Sequence, residues 1–383
     1  MDRTDSRTAR LRGFLQTDPG NTELALALAD ELLRGGQPSE AREVLSSHPS
    51  VVEPVVQHRL AQIALAQGDY VDARERLQSL LAHAPASATI VHDLAFALIG
   101  LRRLDEAAEC LDRHGFAHES DLAIALLRAR LAMLQGRFGD AVGQLQALAG
   151  RSPDDAQVLG VLALALFDDG RESEARVPAQ RAIALDAEQH EALLALGSLS
   201  LSRHDADEAG PLFILALRRH PGSGRALSGL GQSLLLRGEL PNGEFALERA
   251  TVAMPEHLGT WHALAWSQLL QGKRDDAEHS YQQAYELDRN FGESHGGLAL
   301  VAALKGDAAT AEAAIKRALR LDPQSPTAHY ARIVLQQARG EEGIALDGLE
   351  ALRAQMQVEG GIPTAQFAQV LSMLMARAPG AVQ

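Results

Sequence analysis

Residues 260–290 read TWHALAWSQLLQGKRDDAEHSYQQAYELDRN, and this segment decides the fold. Its apolar residues recur at helical spacing on both sides of Gly272, as with Leu264 and Leu269 before the glycine and Tyr281 after it. A glycine ends a helix easily because it adopts the left-handed conformation without steric cost. The segment therefore predicts a helix, a turn at Gly272 and a second helix.

The same pattern repeats every 34 residues along the chain. Steps of 34 lead to the turn positions Gly68, Arg102, Gly136, Gly170, His204, Gly238, Gly272, Gly306 and Gly340, seven of which are glycine. The residue five positions after each turn is alanine or glycine, and a small residue stands seven positions before eight of the nine turns. Small residues on facing sides of two helices allow their backbones to approach to about 8 Å. The repeat therefore predicts a series of closely packed helix pairs.

The composition agrees with an all-α protein and excludes some partners. Aromatic residues, which strands favour, make up only 4% of the chain. Acidic residues outnumber basic ones by 50 to 36, giving a net charge of −14 that repels a polyanion. We therefore expect no nucleic-acid partner.

The single cysteine and the apolar runs indicate the cellular setting. Cys110 has no second cysteine to pair with, and we interpret it as a small buried thiol rather than a reactive one. The amino terminus has no apolar stretch of signal-peptide length, and the longest apolar run, residues 158–167, is about half a membrane span. We expect a cytoplasmic protein with no membrane insertion.

Motifs of catalytic and cofactor sites do not fit the sequence. The phosphate-binding loop GxxxxGK fails because Ser267 stands where its first glycine should precede Gly272. The dinucleotide fingerprint fails after Gly224 because Leu227 occupies its last glycine position, and Leu194 occupies the second histidine position of a zinc-protease motif. We expect no catalytic, cofactor or metal site, and hence no enzyme.

The repeated pattern resembles the tetratricopeptide repeat: a small residue, a glycine seven positions later, an alanine five further on and often a closing proline, with a period of 34. The resemblance implies a right-handed superhelical α-solenoid of about ten helix pairs. Residues 1–21 would form a leading helix, residues 22–53 a shortened repeat, residues 54–357 nine repeats of 34 residues, and residues 358–383 a capping helix and tail. The capping helix would cover the last exposed apolar face.

The resemblance also implies that the first helix of each repeat lines a concave groove, through its fifth, ninth and twelfth positions among others. Most residues at these positions are apolar or small, and large aromatic side chains often dominate binding energy. Large apolar residues such as Leu269 would either line this groove or pack against the neighbouring first helix. The candidate partner-binding residues are His58, His92, Phe96, Arg130, Phe167, His262, Trp266 and Tyr330.

These residues disfavour two known partner types of the family. The lysine and asparagine of a chaperone-binding carboxylate clamp are absent from the fifth and ninth positions, and the asparagine ladder of the sugar-transferase type is absent from the sixth. A groove lined with aliphatic residues suits an amphipathic helix or an extended apolar peptide. The first hypothesis is a non-catalytic protein–protein interaction scaffold. The alternatives are a regulatory or substrate-recruiting module of a larger glycosyltransferase, sulfotransferase or hydroxylase system, and a self-associating structural array.

Overall fold

The computed structural model describes residues 3–83, 87–114 and 121–358, and all regular secondary structure in these ranges is helical. The chain divides after Asp169 into two compact units, which we call unit 1 (residues 1–169) and unit 2 (residues 170–383). The helices of unit 1 are α1 (Arg3–Thr17), α2 (Thr22–Arg34), α3 (Pro38–Ser46), α4 (Pro54–Ala66), α5 (Tyr70–His83), α6 (Ala88–Gly100), α7 (Leu104–Arg113), α8 (Leu122–Leu134), α9 (Phe138–Arg151) and α10 (Ala156–Asp168). The helices of unit 2 are α11 (Glu172–Leu185), α12 (His190–Ser202), α13 (Ala206–Arg219), α14 (Gly224–Leu236), α15 (Leu240–Ala253), α16 (Leu258–Leu270), α17 (Arg274–Leu287), α18 (Gly292–Lys305), α19 (Ala308–Leu321), α20 (Pro326–Ala338) and α21 (Glu342–Val358).

Consecutive helices pack as pairs within each unit. In unit 1, α4 contacts its partner α5 and the next first helix, α6. In unit 2, α18 contacts α19 and α20 in the same way. Within each unit, a first helix therefore packs against its own second helix and against the first helix of the next repeat. The all-α fold of repeated helix pairs is confirmed.

The turn inside each pair has one backbone geometry. At Gly272, φ is 78°, and the following residue donates its N–H to the carbonyl five residues earlier at 2.9 Å, as in a Schellman motif. Arg102 and His204 replace glycine in this position, yet their φ values are 61° and 59° and the same hydrogen bonds form. The packed helices on either side therefore impose the left-handed turn even where the side chain disfavours it.

Small residues leave space for the partner helix. A Cβ atom placed on Gly231 of α14 would lie 2.6 Å from Leu247 Cγ and 3.1 Å from the carbonyl oxygen of Gly243 on α15. A Cβ atom on Gly197 of α12 would instead lie 2.8 Å from Cζ of Phe213 on α13. The small positions thus allow close backbone approach in one pair and accommodate an aromatic ring in another.

In most repeats, though not at Glu53 or Phe291, the residue before the first helix caps that helix, a further repeated feature that the sequence reasoning missed. Its side chain accepts a hydrogen bond from a backbone N–H in the first turn of the helix, as Asp155 Oδ1 does from Val158 at 2.9 Å. Such N-caps stabilise helix starts by about 1 kcal/mol. The residues that cap in this way at 34-residue spacing are Ser87, Asp121, Asp155, Gln189, Ser223, His257 and Ser325.

Prolines follow several second helices. The helices α9, α13, α15 and α19 end two residues before Pro153, Pro221, Pro255 and Pro323. This position fits the expected stop, since proline cannot continue the helix hydrogen-bonding pattern. The residues after Val358, where the capping helix is expected, lie outside the described residues. Across the described ranges, no helix has the length and hydrophobicity needed to cross a membrane.

Candidate partner-binding surface

The fifth position of the first helices is mostly buried, so it contributes little to an accessible groove. Leu126, Leu194 and Tyr330 are buried among their neighbours, and Tyr330 is only 2% exposed. Each of these side chains fills space between packed helices and presents little or no surface to a partner. Tyr330 therefore belongs to the core of unit 2 rather than to an accessible site.

The other expected anchors in unit 2 are also engaged in packing. Trp266 is partly buried against the core cluster that contains Leu269 and Leu300. His262 shares a 3.0 Å hydrogen bond between its Nε2 and Ser294 Oγ, and its ring meets the Tyr281 ring edge-to-face at 5.4 Å. Burial lowers the pKa of His262 to about 4. This imidazole is therefore neutral at physiological pH.

In unit 1, Asp93, which was not a predicted site residue, lies at the centre of three that were: His58, His92 and Phe96. Asp93 of α6 accepts a hydrogen bond from Nε2 of His58 at 3.0 Å and another from Nε2 of Gln62 at 3.2 Å, both at Oδ2. Its Oδ1 accepts from Nδ1 of His92 at 3.2 Å. The ring of His92 stacks parallel to that of Phe96, with 6.5 Å between centroids. We call His58, Gln62, His92, Asp93 and Phe96 the Asp93 cluster.

The electrostatics of the cluster depend on a carboxylate that is only 9% exposed. Burial raises the pKa of Asp93, but the hydrogen bonds from His58, His92 and Gln62 lower it by a larger amount. The net result is a pKa well below the ordinary value. The group is therefore an ionised carboxylate surrounded by N–H donors. It fixes the orientation of both imidazole rings.

Phe96 provides the accessible part of this cluster. Its side chain is 43% exposed, and its position is held by the His92 stack and by an edge-to-face contact with Tyr70 at 6.4 Å. Among the described residues it is the one phenylalanine that is exposed on the first helix of a repeat. A rigid, exposed aromatic ring can contribute apolar contact at little entropic cost.

The remaining predicted residues of unit 1 lie outside this cluster. Arg130 of α8 and Phe167 of α10 are both half-buried. Arg128, which stands near Arg130, donates to the Asp112 carboxylate and to the backbone carbonyl of Leu111. Its role is therefore to join α8 to the end of α7.

A set of ring and amide donors at one repeat position has a structural role that the sequence reasoning also missed. Trp261 donates its indole N–H to the Pro255 carbonyl at 2.8 Å, and Gln57 donates its amide N–H to the Val51 carbonyl at 2.7 Å. His295 makes the same contact, with its Nε2 2.9 Å from the carbonyl oxygen of Arg289, six residues earlier. These side chains fix the loop that precedes the first helix.

No group of three metal-ligating side chains suited to a metal ion occurs in the described ranges. Cys110 is buried in α7, and burial raises the pKa of its thiol. The thiol is therefore a poor nucleophile, in agreement with the interpretation from the sequence.

Family models of the tetratricopeptide repeat match most of the chain. One matches residues 64–131, and another matches residues 126–190, 194–256 and 262–326, which together are more than half of the chain. A search of curated proteins gives no match.

Solved structures share the architecture at low sequence identity. An IFIT1 monomeric mutant with Gppp-AAAA has a TM-score of 0.57 and 15% identity, over 98% of this chain and 95% of that one. A human IFIT1 dimer with m7Gppp-AAAA has a TM-score of 0.57 and 16% identity, over 98% and 96%. A tetratricopeptide repeat protein from Parabacteroides merdae has a TM-score of 0.46 and 17% identity, over 65% and 98%. At these identities the likeness to the two IFIT1 structures is one of fold.

Repeats of this kind indicate a protein–protein interaction scaffold. The period of 34, the left-handed turns and the family-model matches lead to one conclusion: this chain belongs to the tetratricopeptide repeat family.

Proposed function

We propose that this chain is a non-catalytic scaffold that binds an apolar or amphipathic segment of a partner protein along the first helices of its repeats, with Phe96 as an anchor in unit 1. The observation that carries the proposal is the exposed ring of Phe96, held between His92 and Tyr70. Binding energy in protein interfaces concentrates on a few aromatic side chains of this kind. Because the ring is already fixed, a partner would lose little free energy in ordering it.

The chemistry around Phe96 favours a peptide over RNA. The IFIT1 structures contain RNA, but the present chain has a net charge of −14, which opposes a polyanion. The polar groups beside Phe96 surround a buried carboxylate, Asp93, rather than forming a basic patch. A protein segment that places one of its side chains on Phe96 suits this surface better.

The test is a selection of binding peptides from a displayed random library on the full-length chain. Binding of the selected peptides is then measured with the wild type, with Phe96→Ser and with Phe245→Ser. Phe245 is a matched control because it is 62% exposed but lies on a second helix, α15. We expect Phe96→Ser to weaken binding at least about tenfold, corresponding to about 1.4 kcal/mol, and Phe245→Ser to leave it unchanged.

Three outcomes would contradict the proposal. Peptides that lose affinity only for Phe245→Ser would place the interaction on the second helices. Failure to select any Phe96-dependent peptide would remove Phe96 from the binding surface. Short capped RNA that binds in competition with the peptides would indicate a nucleic-acid site instead.

A further inference from the structure

The carboxylate of Asp93 determines which nitrogen of each neighbouring imidazole carries the proton. Nε2 of His58 and Nδ1 of His92 face the carboxylate at 3.0 and 3.2 Å and therefore donate to it. In the neutral rings the other nitrogens, Nδ1 of His58 and Nε2 of His92, then hold lone pairs. Among the described residues neither of these two nitrogens has a hydrogen-bond partner, and neither is a buried unpaired atom. The side chains are partly exposed, 22% for His58 and 32% for His92, so in the neutral rings these two nitrogens can accept hydrogen bonds from a ligand.

The ring of Phe96, which is 43% exposed, stacks with the His92 ring of this cluster. Two other surface aromatic rings of this chain each have one of its own guanidinium groups over them. Arg249 lies over Phe245 at 6.0 Å from the ring centroid, and Arg289 lies over Tyr285 at 5.9 Å. Within the described ranges no guanidinium group covers Phe96 in this way. Its face remains available for a cation from outside the chain.

The charge of the cluster also favours a cation. Asp93 is ionised, because its hydrogen bonds hold the pKa of the carboxyl below the ordinary value. The basic neighbour on α4, Arg59, forms an ion pair with Asp30 at 3.2 Å. The chain as a whole carries a net charge of −14. A positive ligand would therefore meet a favourable field at this surface.

We propose that the Asp93 cluster binds an arginine side chain of the partner segment. The inference rests on the proposed function and specifies the chemistry of that same site. A guanidinium group has five N–H donors and no acceptor, so it can donate to an acceptor such as His58 Nδ1 or His92 Nε2. Its flat surface also stacks on an aromatic ring, as Arg249 does on Phe245. A lysine ammonium would fit the charge, but it lacks the planar group that stacks on an aromatic ring.

The probes for the test are N-acetyl-arginine methylamide and its uncharged analogue N-acetyl-citrulline methylamide, titrated into the full-length chain. NMR of isotope-labelled histidine and phenylalanine reports on the rings of His58, His92 and Phe96. We expect the arginine probe to shift these signals and to bind about fivefold more tightly than the citrulline probe. Phe96→Leu, which keeps an apolar side chain but removes the π face, is expected to abolish this preference. Phe245→Leu should leave it unchanged.

A second variant tests the role of the carboxylate. Asp93→Asn removes the negative charge, and we expect the preference for arginine over citrulline to disappear while the helical circular dichroism signal is retained. If Asp93→Asn unfolds the chain, Phe96→Leu still decides the question. Equal affinity for the two probes, the absence of shifts at His58 and His92, or an unchanged preference in Phe96→Leu would each overturn the inference. Selected peptides that depend on Phe96 but contain no basic residue would overturn the inference and leave the proposed function standing.

Discussion

The pH dependence of unit 2 stability is set in part by His262. Its imidazole is packed between Tyr281 and Phe291, with Nε2 bonded to Ser294 Oγ, and burial lowers its pKa from the ordinary 6.5 to about 4. Below about pH 6.5 the unfolded chain binds a proton at His262, whereas the folded chain binds it only near pH 4. Stability is therefore complete above the ordinary pKa and falls as the pH drops through this window.

The size of the effect follows from the difference between the two pKa values. Each unit of pKa difference between the folded and unfolded chain corresponds to about 1.4 kcal/mol. The free energy of unfolding should therefore fall by about 3 kcal/mol between about pH 7 and about pH 4. The variant His262→Gln keeps an N–H group near Ser294 but does not titrate. We therefore expect the free energy of unfolding of the wild type, relative to that of His262→Gln, to fall by about 3 kcal/mol from about pH 7 to about pH 4.

Two assays measure this prediction. Urea unfolding followed by circular dichroism, at a series of pH values, gives the stability of each protein, and NMR titration of the His262 ring gives its pKa directly. The other titrating groups contribute equally to the pH dependence of both proteins, so their contribution cancels in the difference between the two free energies of unfolding. A His262 pKa near its ordinary value, or a stability difference that does not change with pH, would refute the reasoning.

Three further predictions concern the repeat framework, and urea midpoints test the first two. Arg102→Gly should stabilise the chain by about 0.5–1 kcal/mol because it removes an arginine from the left-handed conformation. Gly272→Ala should destabilise the chain by a similar amount for the converse reason. Variant midpoints equal to that of the wild type would contradict this explanation of the turns. Gly231→Leu should cost about 1–3 kcal/mol because its Cβ atom would meet Leu247 Cγ at 2.6 Å, and an unchanged midpoint would exclude the close pairing of α14 and α15. Trp261→Phe removes an indole N–H bond and should cost about 1 kcal/mol, with faster amide hydrogen exchange in the loop before α16; unaltered exchange would show that the bond does not fix this loop.

The architecture was predictable because its signal repeats. Each turn position is weak evidence alone, but the shared period of 34 predicted the same turn at Arg102 and His204 as at the glycines. Both residues adopt the left-handed conformation because the packed helices on either side require it. The fold can be predicted from such a sequence because many local signals agree with one structure.

The accessible surface was less predictable because exposure depends on the neighbouring repeat. Leu194 and Tyr330 stand at positions that the family resemblance places in a groove, but adjacent packing buries both. The Asp93 cluster escaped notice because its members belong to two repeats: His58 lies 35 residues from Asp93 and Gln62 lies 31 residues from it. Polar residues spaced at about one repeat length were the signal that could have revealed the cluster.

The central claim is that a partner protein binds at the exposed face of Phe96, and photo-crosslinking in cells that make this protein tests it most directly. A benzophenone amino acid is placed at residue 96 in one variant and at residue 245 in another, and the crosslinked products are identified by mass spectrometry. The account predicts a crosslink to a second protein from residue 96 and none to that protein from residue 245. A crosslink from residue 245 alone, or from neither position, would contradict it.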